Sequence, residues 1–105
     1  MRRAKTMVAL AVALAALQGC ASAIGDECDY DTDCPAGAYC DSSMPGGMCT
    51  DSPCRAGDCP DDSVCVEFSN GQSYCMASCG SDGDCRDGYS CITDIGPYPF
   101  CSVKK

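Results

Sequence analysis

Apolar residues are distributed unevenly along the chain. One continuous block, Val8-Ala9-Leu10-Ala11-Val12-Ala13-Leu14-Ala15-Ala16-Leu17, follows basic Arg2, Arg3 and Lys5 and stops at Gln18 and Gly19. The block is about ten residues, against the roughly twenty that a helix needs to cross a hydrocarbon core. A basic start, a short apolar run and a small-residue end form the layout of a secretory signal peptide, predicted here over residues 1–19. Beyond it no stretch keeps helical periodicity, because Cys, Gly, Pro and Asp interrupt every candidate. What remains is short alternation, plainest where Val64-Cys65-Val66-Glu67-Phe68 runs through Ser69-Asn70-Gly71-Gln72 and returns as Ser73-Tyr74-Cys75. Alternation on both sides of Asn-Gly predicts a β-hairpin, since Asn-Gly accommodates the positive φ angles of a tight turn.

The cysteines impose a longer period. After Cys20 they fall into three sets: Cys28, Cys34, Cys40 and Cys49; Cys54, Cys59, Cys65 and Cys75; Cys79, Cys85, Cys91 and Cys101. The gaps within the sets are 5-5-8, 4-5-9 and 5-5-9, and linkers of four and three residues separate them. A repeat of this kind takes precedence in any fold assignment. Other positions repeat with it. Asp33, Asp58 and Asp84 precede each second cysteine, Pro35 and Pro60 follow it in two units, and Gly37 and Gly88 come two residues later. Each third-to-fourth interval holds a turn signal, Pro45-Gly46-Gly47, Asn70-Gly71 or Gly96-Pro97, followed by Met48, Tyr74 or Phe100 just before the last cysteine. The predicted fold is therefore small and disulfide-rich. It comprises three tandem four-cysteine units, 28–49, 54–75 and 79–101, each an irregular loop plus a short β-hairpin, with no substantial helix after the leader.

Size explains why the cysteines must carry the fold. A unit offers only one or two large apolar side chains, such as Tyr39 and Met48 in the first, too few to offset chain entropy. Crosslinks substitute for a core, each worth roughly 3 kcal/mol for a loop of about a dozen residues. Four cysteines permit three pairings. First-to-third with second-to-fourth is favoured, Cys28 with Cys40 and Cys34 with Cys49 in the first unit, because interlocked loops compact a coreless chain best. Pairing across unit boundaries, such as Cys49 with Cys54 or Cys75 with Cys79, stays open.

Thirteen cysteines are present, and setting Cys20 aside leaves an even number that can pair completely. Its context, Leu17-Gln18-Gly19-Cys20, resembles the bacterial lipobox, in which a peptidase cuts before a cysteine whose thiol has been diacylated. Gln18 departs from the small residue usual at its position. The resemblance implies a lipidated Cys20 at the head of a linker over 20–27, a membrane partner, and a location at the cell surface or facing the periplasm. The competing site is Ala21-Ser22-Ala23, where ordinary signal peptidase could cut before Ile24 and release a freely secreted, disulfide-rich effector or inhibitor.

Charge changes sign at this point. All fifteen acidic residues follow Cys20, against Arg55, Arg86, Lys104 and Lys105 only, so the mature chain carries 4 − 15 = −11. That balance disfavours nucleic acid, whose phosphates are neutralised by Lys and Arg. It suits solubility, or a cationic or cation-bridged partner.

The string Cys28-Asp29-Tyr30-Asp31-Thr32-Asp33-Cys34-Pro35-Ala36-Gly37-Ala38-Tyr39-Cys40 resembles the short cysteine-rich repeats of bacterial lipoproteins and secreted proteins. It is also similar to the N-terminal region of Dickkopf-type proteins and to EB and EGF-like modules. The resemblance spans residues 28–101 and consists of cysteine spacing with Asp, Pro and Gly. It implies a fold class and, for the eukaryotic modules, extracellular recognition of an unidentified protein or surface ligand; function does not carry over with spacing.

Chemistry finds little purchase. The chain has no histidine, which removes Ser-His and Cys-His pairs and the usual company of zinc-binding cysteines. No Cys-x-x-Cys redox site occurs. No enzyme activity and no cofactor are expected. Asp29, Asp31 and Asp33 alternate like the start of an EF-hand loop, but Cys34 stands where that loop needs Gly and Cys40 where it needs Glu. Gly25-Asp26-Glu27-Cys28 echoes the opening of calcium-binding EGF-like modules. These acids are weak calcium candidates for an adhesion module. The aromatics Tyr39, Phe68, Tyr74, Tyr89, Tyr98 and Phe100 are either contact residues or covers for the disulfides, with Tyr98-Pro99-Phe100 expected in a protruding loop.

Overall fold

The computed structural model describes residues 22–104. The predicted leader, Cys20 and Lys105 lie outside the described residues. The elements are three antiparallel hairpins: β1 (Tyr39–Asp41) with β2 (Met48–Thr50), β3 (Ser63–Glu67) with β4 (Ser73–Ala77), and β5 (Ser90–Ile92) with β6 (Phe100–Ser102). One-turn 3-10 helices at Asp31–Asp33 and Asp82–Asp84 precede the first and third hairpins.

The repeated residues have local structural roles. The carboxylate before the second cysteine gathers the loop behind it: Asp33 accepts the amides of Asp29 and Tyr30, both at 3.0 Å, and Asp84 those of Gly80 at 2.8 Å and Ser81 at 3.1 Å. Asp58 accepts only the Arg55 amide, at 3.2 Å. A turn follows the second cysteine in every unit, closed by Ala38 N to Pro35 O, Ser63 N to Pro60 O and Tyr89 N to Arg86 O. Its left-handed residue is Gly37, Asp62 or Gly88, at φ 87°, 63° and 84°. The middle unit thus uses aspartate, which tolerates this conformation better than most side chains, where the others use glycine. In the second hairpin only Gly71 has positive φ, 83°, and Phe68 donates to Gln72 O. The Asn70-Gly71 signal therefore builds a three-residue loop with glycine in the left-handed position instead of a two-residue turn.

All three units show the interlocked pairing: Cys28–Cys40 and Cys34–Cys49, Cys54–Cys65 and Cys59–Cys75, Cys79–Cys91 and Cys85–Cys101. The third and fourth cysteines of each unit stand directly opposite one another across the hairpin. They share one face, because side chains alternate along a strand, and the loop is stitched to both strands through that face.

The opposite face is what the three units pool. Met48 and Thr50 flank Cys49, Tyr74 and Met76 flank Cys75, and Phe100 precedes Cys101. Met48, Val66, Met76, Tyr89 and Phe100 form one buried cluster drawn from all three units, with Phe100 wholly buried. A core too small within any unit is assembled by three. Thr50, also wholly buried, donates its hydroxyl to Cys75 O at 2.8 Å, and the amide of Cys75 donates to Asp51 O at 2.9 Å. Thus β4 is bound on its outer edge by the chain leaving β2, and Ser78 bridges to Phe100.

The stretch expected as a linker packs against the fold from Ile24 onward. Ala23 N donates to the Asp26 carboxylate at 2.8 Å, Gly25 N to Cys49 O at 2.8 Å, and Cys49 N to Asp26 O at 2.9 Å. Ile24 is buried. Gly25 permits this approach, since a Cβ there would stand 2.6 Å from Cβ of Ala77.

Candidate binding surfaces

The three hairpins converge on an open groove of about 1040 Å³. Its lining includes the buried core residues Met48, Met76 and Phe100 and the partly buried Met44, Phe68 and Ile92 packed against them. Phe68 packs edge-on against Phe100, with ring centres 5.8 Å apart, and against Tyr74 at 6.0 Å. Asp41, Asp94 and Lys104 contribute charge at the lining. An apolar patch ringed by polar residues such as Ser43, Asn70, Gln72 and Thr93 suits binding of another surface. A second groove of about 380 Å³ is lined by Val64–Glu67 of β3 and by Ile95 and Tyr98 of the β5–β6 loop.

The aromatics divide by environment. Phe100 and Tyr89 are core residues, contrary to the protruding position expected for Phe100, while Tyr39, Phe68 and Tyr74 are half-buried. Tyr98 is 63% exposed, and Tyr30, which lies outside the six aromatics considered above, is 72% exposed. Burial raises the phenol of Tyr39 above its ordinary range, with Tyr74 and the Asp41 carboxylate adding to the effect.

The calcium candidates lie together at the first 3-10 turn, but two of the three carboxylates have backbone partners. Asp33 takes the two amides described above, and Oδ1 of Asp31 accepts the amide of Cys40 at 2.9 Å. Those amides hold the Asp33 carboxyl below the usual carboxylate range, Asp29 N first and Tyr30 N second. The sulfurs of the first, second and fourth cysteines of each unit lie within 4.8 Å of one another. All of them are in disulfides, so they present no thiolates to a metal.

Arg86 is the feature that the repeat conceals. It occupies the position of Pro35 and Pro60, and its guanidinium reaches from the third unit into the first. Nη2 donates to Pro45 O at 2.9 Å, to Gly47 O, and to the Tyr89 hydroxyl at 2.6 Å. The departure from proline was visible in the sequence; its partner, a turn about forty residues away, was not. Comparison of the chain with protein-family models, curated proteins and solved structures finds no match.

Proposed function

We propose that the chain is an exported lipoprotein held to a bacterial membrane through Cys20, with a non-catalytic, disulfide-stitched domain that serves as a binding or structural module. The single observation that carries export is the complete pairing of the twelve cysteines after Cys20 in six disulfides, a state that oxidising compartments sustain. The anchor rests on the lipobox-like context of Cys20 and on its position outside the repeats. The partner is a protein or surface ligand met outside the cytoplasm, and the excess of carboxylates favours a cationic one. Packing begins at Ile24, four residues after Cys20, a length of chain that can reach at most about 14 Å. The domain would sit close to the bilayer.

Mass spectrometry of the mature N terminus tests this reading. A diacylated Cys20 in the membrane fraction supports it. An unmodified Ile24 start in the soluble fraction defeats the anchor and leaves a freely secreted module.

A further inference from the structure

The three hairpins share a plan and differ at one backbone amide. Cys40 of β1 donates to Oδ1 of Asp31 at 2.9 Å, and Cys91 of β5 to Oδ1 of Asp82 at 2.8 Å. Each aspartate opens the 3-10 turn of its unit, three residues before the second cysteine. In the middle unit the first gap is one residue shorter, the 3-10 turn is missing, and Ala56 stands three residues before Cys59. Its third cysteine, Cys65, therefore has no such carboxylate for its amide.

That amide faces outward. Phe68 N donates across the hairpin to Gln72 O, so Val66 and Val64 continue the inward pairing with β4 while Cys65 and Glu67 turn to the outer edge. The outer edge of β4 is occupied through Cys75 and Asp51. The outer edge of β3 borders the second groove, which Val64–Glu67 line together with Arg55, Ala56, Ile95 and Tyr98. Ile95 and Tyr98 are 37% and 63% exposed. An open strand edge beside apolar side chains offers both backbone pairing and side-chain contact to an incoming strand. Charge narrows the choice of occupant. Asp61 and Asp62 precede β3 and Glu67 ends it, all exposed, three acids against the single basic residue at the groove, Arg55, and a second copy of a chain with fifteen acidic and seven basic residues brings more of the same sign.

We infer that the outer edge of β3 is a strand-addition site for an extended segment of a partner protein in which Lys or Arg alternates with apolar residues. A backbone carbonyl of that segment takes the Cys65 amide, its apolar side chains lie on Ile95 and Tyr98, and its cations face Asp61, Asp62 and Glu67. The site gives a surface to the binding role proposed above and rests on that role. It is independent of the anchor, so the state of Cys20 and the occupancy of this edge can fail separately.

The test uses the mature chain, ¹⁵N-labelled with its disulfides intact, and the hexapeptide acetyl-Lys-Val-Lys-Val-Lys-Val-amide. In the free protein the Cys65 amide should exchange with solvent about tenfold faster than those of Cys40 and Cys91. The peptide should slow that exchange and shift the Cys65 and Glu67 signals, whereas a version with proline as its central valine should do neither. Substituting Ile95→Ser with Tyr98→Ser should weaken binding about tenfold, with unchanged Cys40 and Cys91 signals reporting an intact fold. Equal protection of the three cysteine amides in the free protein overturns the proposal, as do shifts confined to the three-hairpin groove. Shifts of Cys65 and Glu67 on raising protein concentration without peptide also overturn it, by assigning the edge to a second copy.

Discussion

The guanidinium carbon of Arg86 lies 4.3 Å from the ring centre of Tyr89, and the Tyr89 hydroxyl and Arg86 Nη2 both donate to the same carbonyl, that of Pro45. Two residues of the third unit thus clamp the β1–β2 turn of the first. The hydrogen bonds of the guanidinium all leave Nη2, while its plane lies over the ring, and that flat stacking is what an ammonium does not reproduce. Arg86→Lys should therefore lower stability by about 1–3 kcal/mol, and Tyr89→Phe by about 1 kcal/mol. Urea unfolding under non-reducing conditions measures both, and the double variant should lose less than the sum because the two share partners.

Acid should act through Asp33. Its folded-state pKa is lowered by the amides of Asp29 and Tyr30, so its contribution is present above the unfolded value, about 3.9, and is lost as pH falls through the folded value. Stability should decline across that window. Asp33→Asn, which keeps an acceptor oxygen and does not titrate, should flatten the decline, as read from melting temperature against pH.

Two glycines with nearly equal strain should respond differently to alanine. A Cβ at Gly47, φ 72°, would stand 2.1 Å from Cys28 O and 3.0 Å from Sγ of Cys40, whereas one at Gly57, φ 89°, meets nothing within 4 Å. Gly57→Ala should cost about 1 kcal/mol, the backbone term alone. Gly47→Ala should cost more than about 3 kcal/mol or misdirect the Cys28–Cys40 pairing. Denaturant midpoints and peptide mapping of the disulfides check the two outcomes.

Because the core is shared, heating the oxidised protein should give one transition with coincident near- and far-ultraviolet circular dichroism. Full reduction should abolish both signals, since each lost crosslink removes roughly 3 kcal/mol. Native signals persisting in reductant would show that the pooled core suffices alone. Separate transitions for the units would show that the pooling is energetically minor.

What the sequence made legible is local. The hairpins follow from alternation around Cys65 and Cys75 and from the Gly-rich turns, because those signals act within a few residues. The loop role of Asp33 and Asp84 was visible only as a repeated position. Carboxylates that accept backbone amides and carboxylates that hold a cation leave the same string of residues, so the alternation of Asp29, Asp31 and Asp33 does not by itself distinguish the two. The groove and the Arg86 clamp were not legible, since both depend on how one hairpin packs on another, and no periodicity encodes that. The shortened gap of the middle unit was plain in the spacing, but its effect on the Cys65 amide required the register.

The pooling of Met48, Val66, Met76, Tyr89 and Phe100 also limits how the chain can be divided. Its repeats look interchangeable, yet each supplies a different part of one interior: the first a methionine and the turn that Arg86 grips, the second a valine and a methionine, the third both aromatics. A single unit cut out at its linkers would keep its crosslinks and lose its neighbours' half of every apolar contact. Deletion or transplantation should therefore respect the triplet, which makes the set of three, and not the four-cysteine unit, the smallest interchangeable part of this protein.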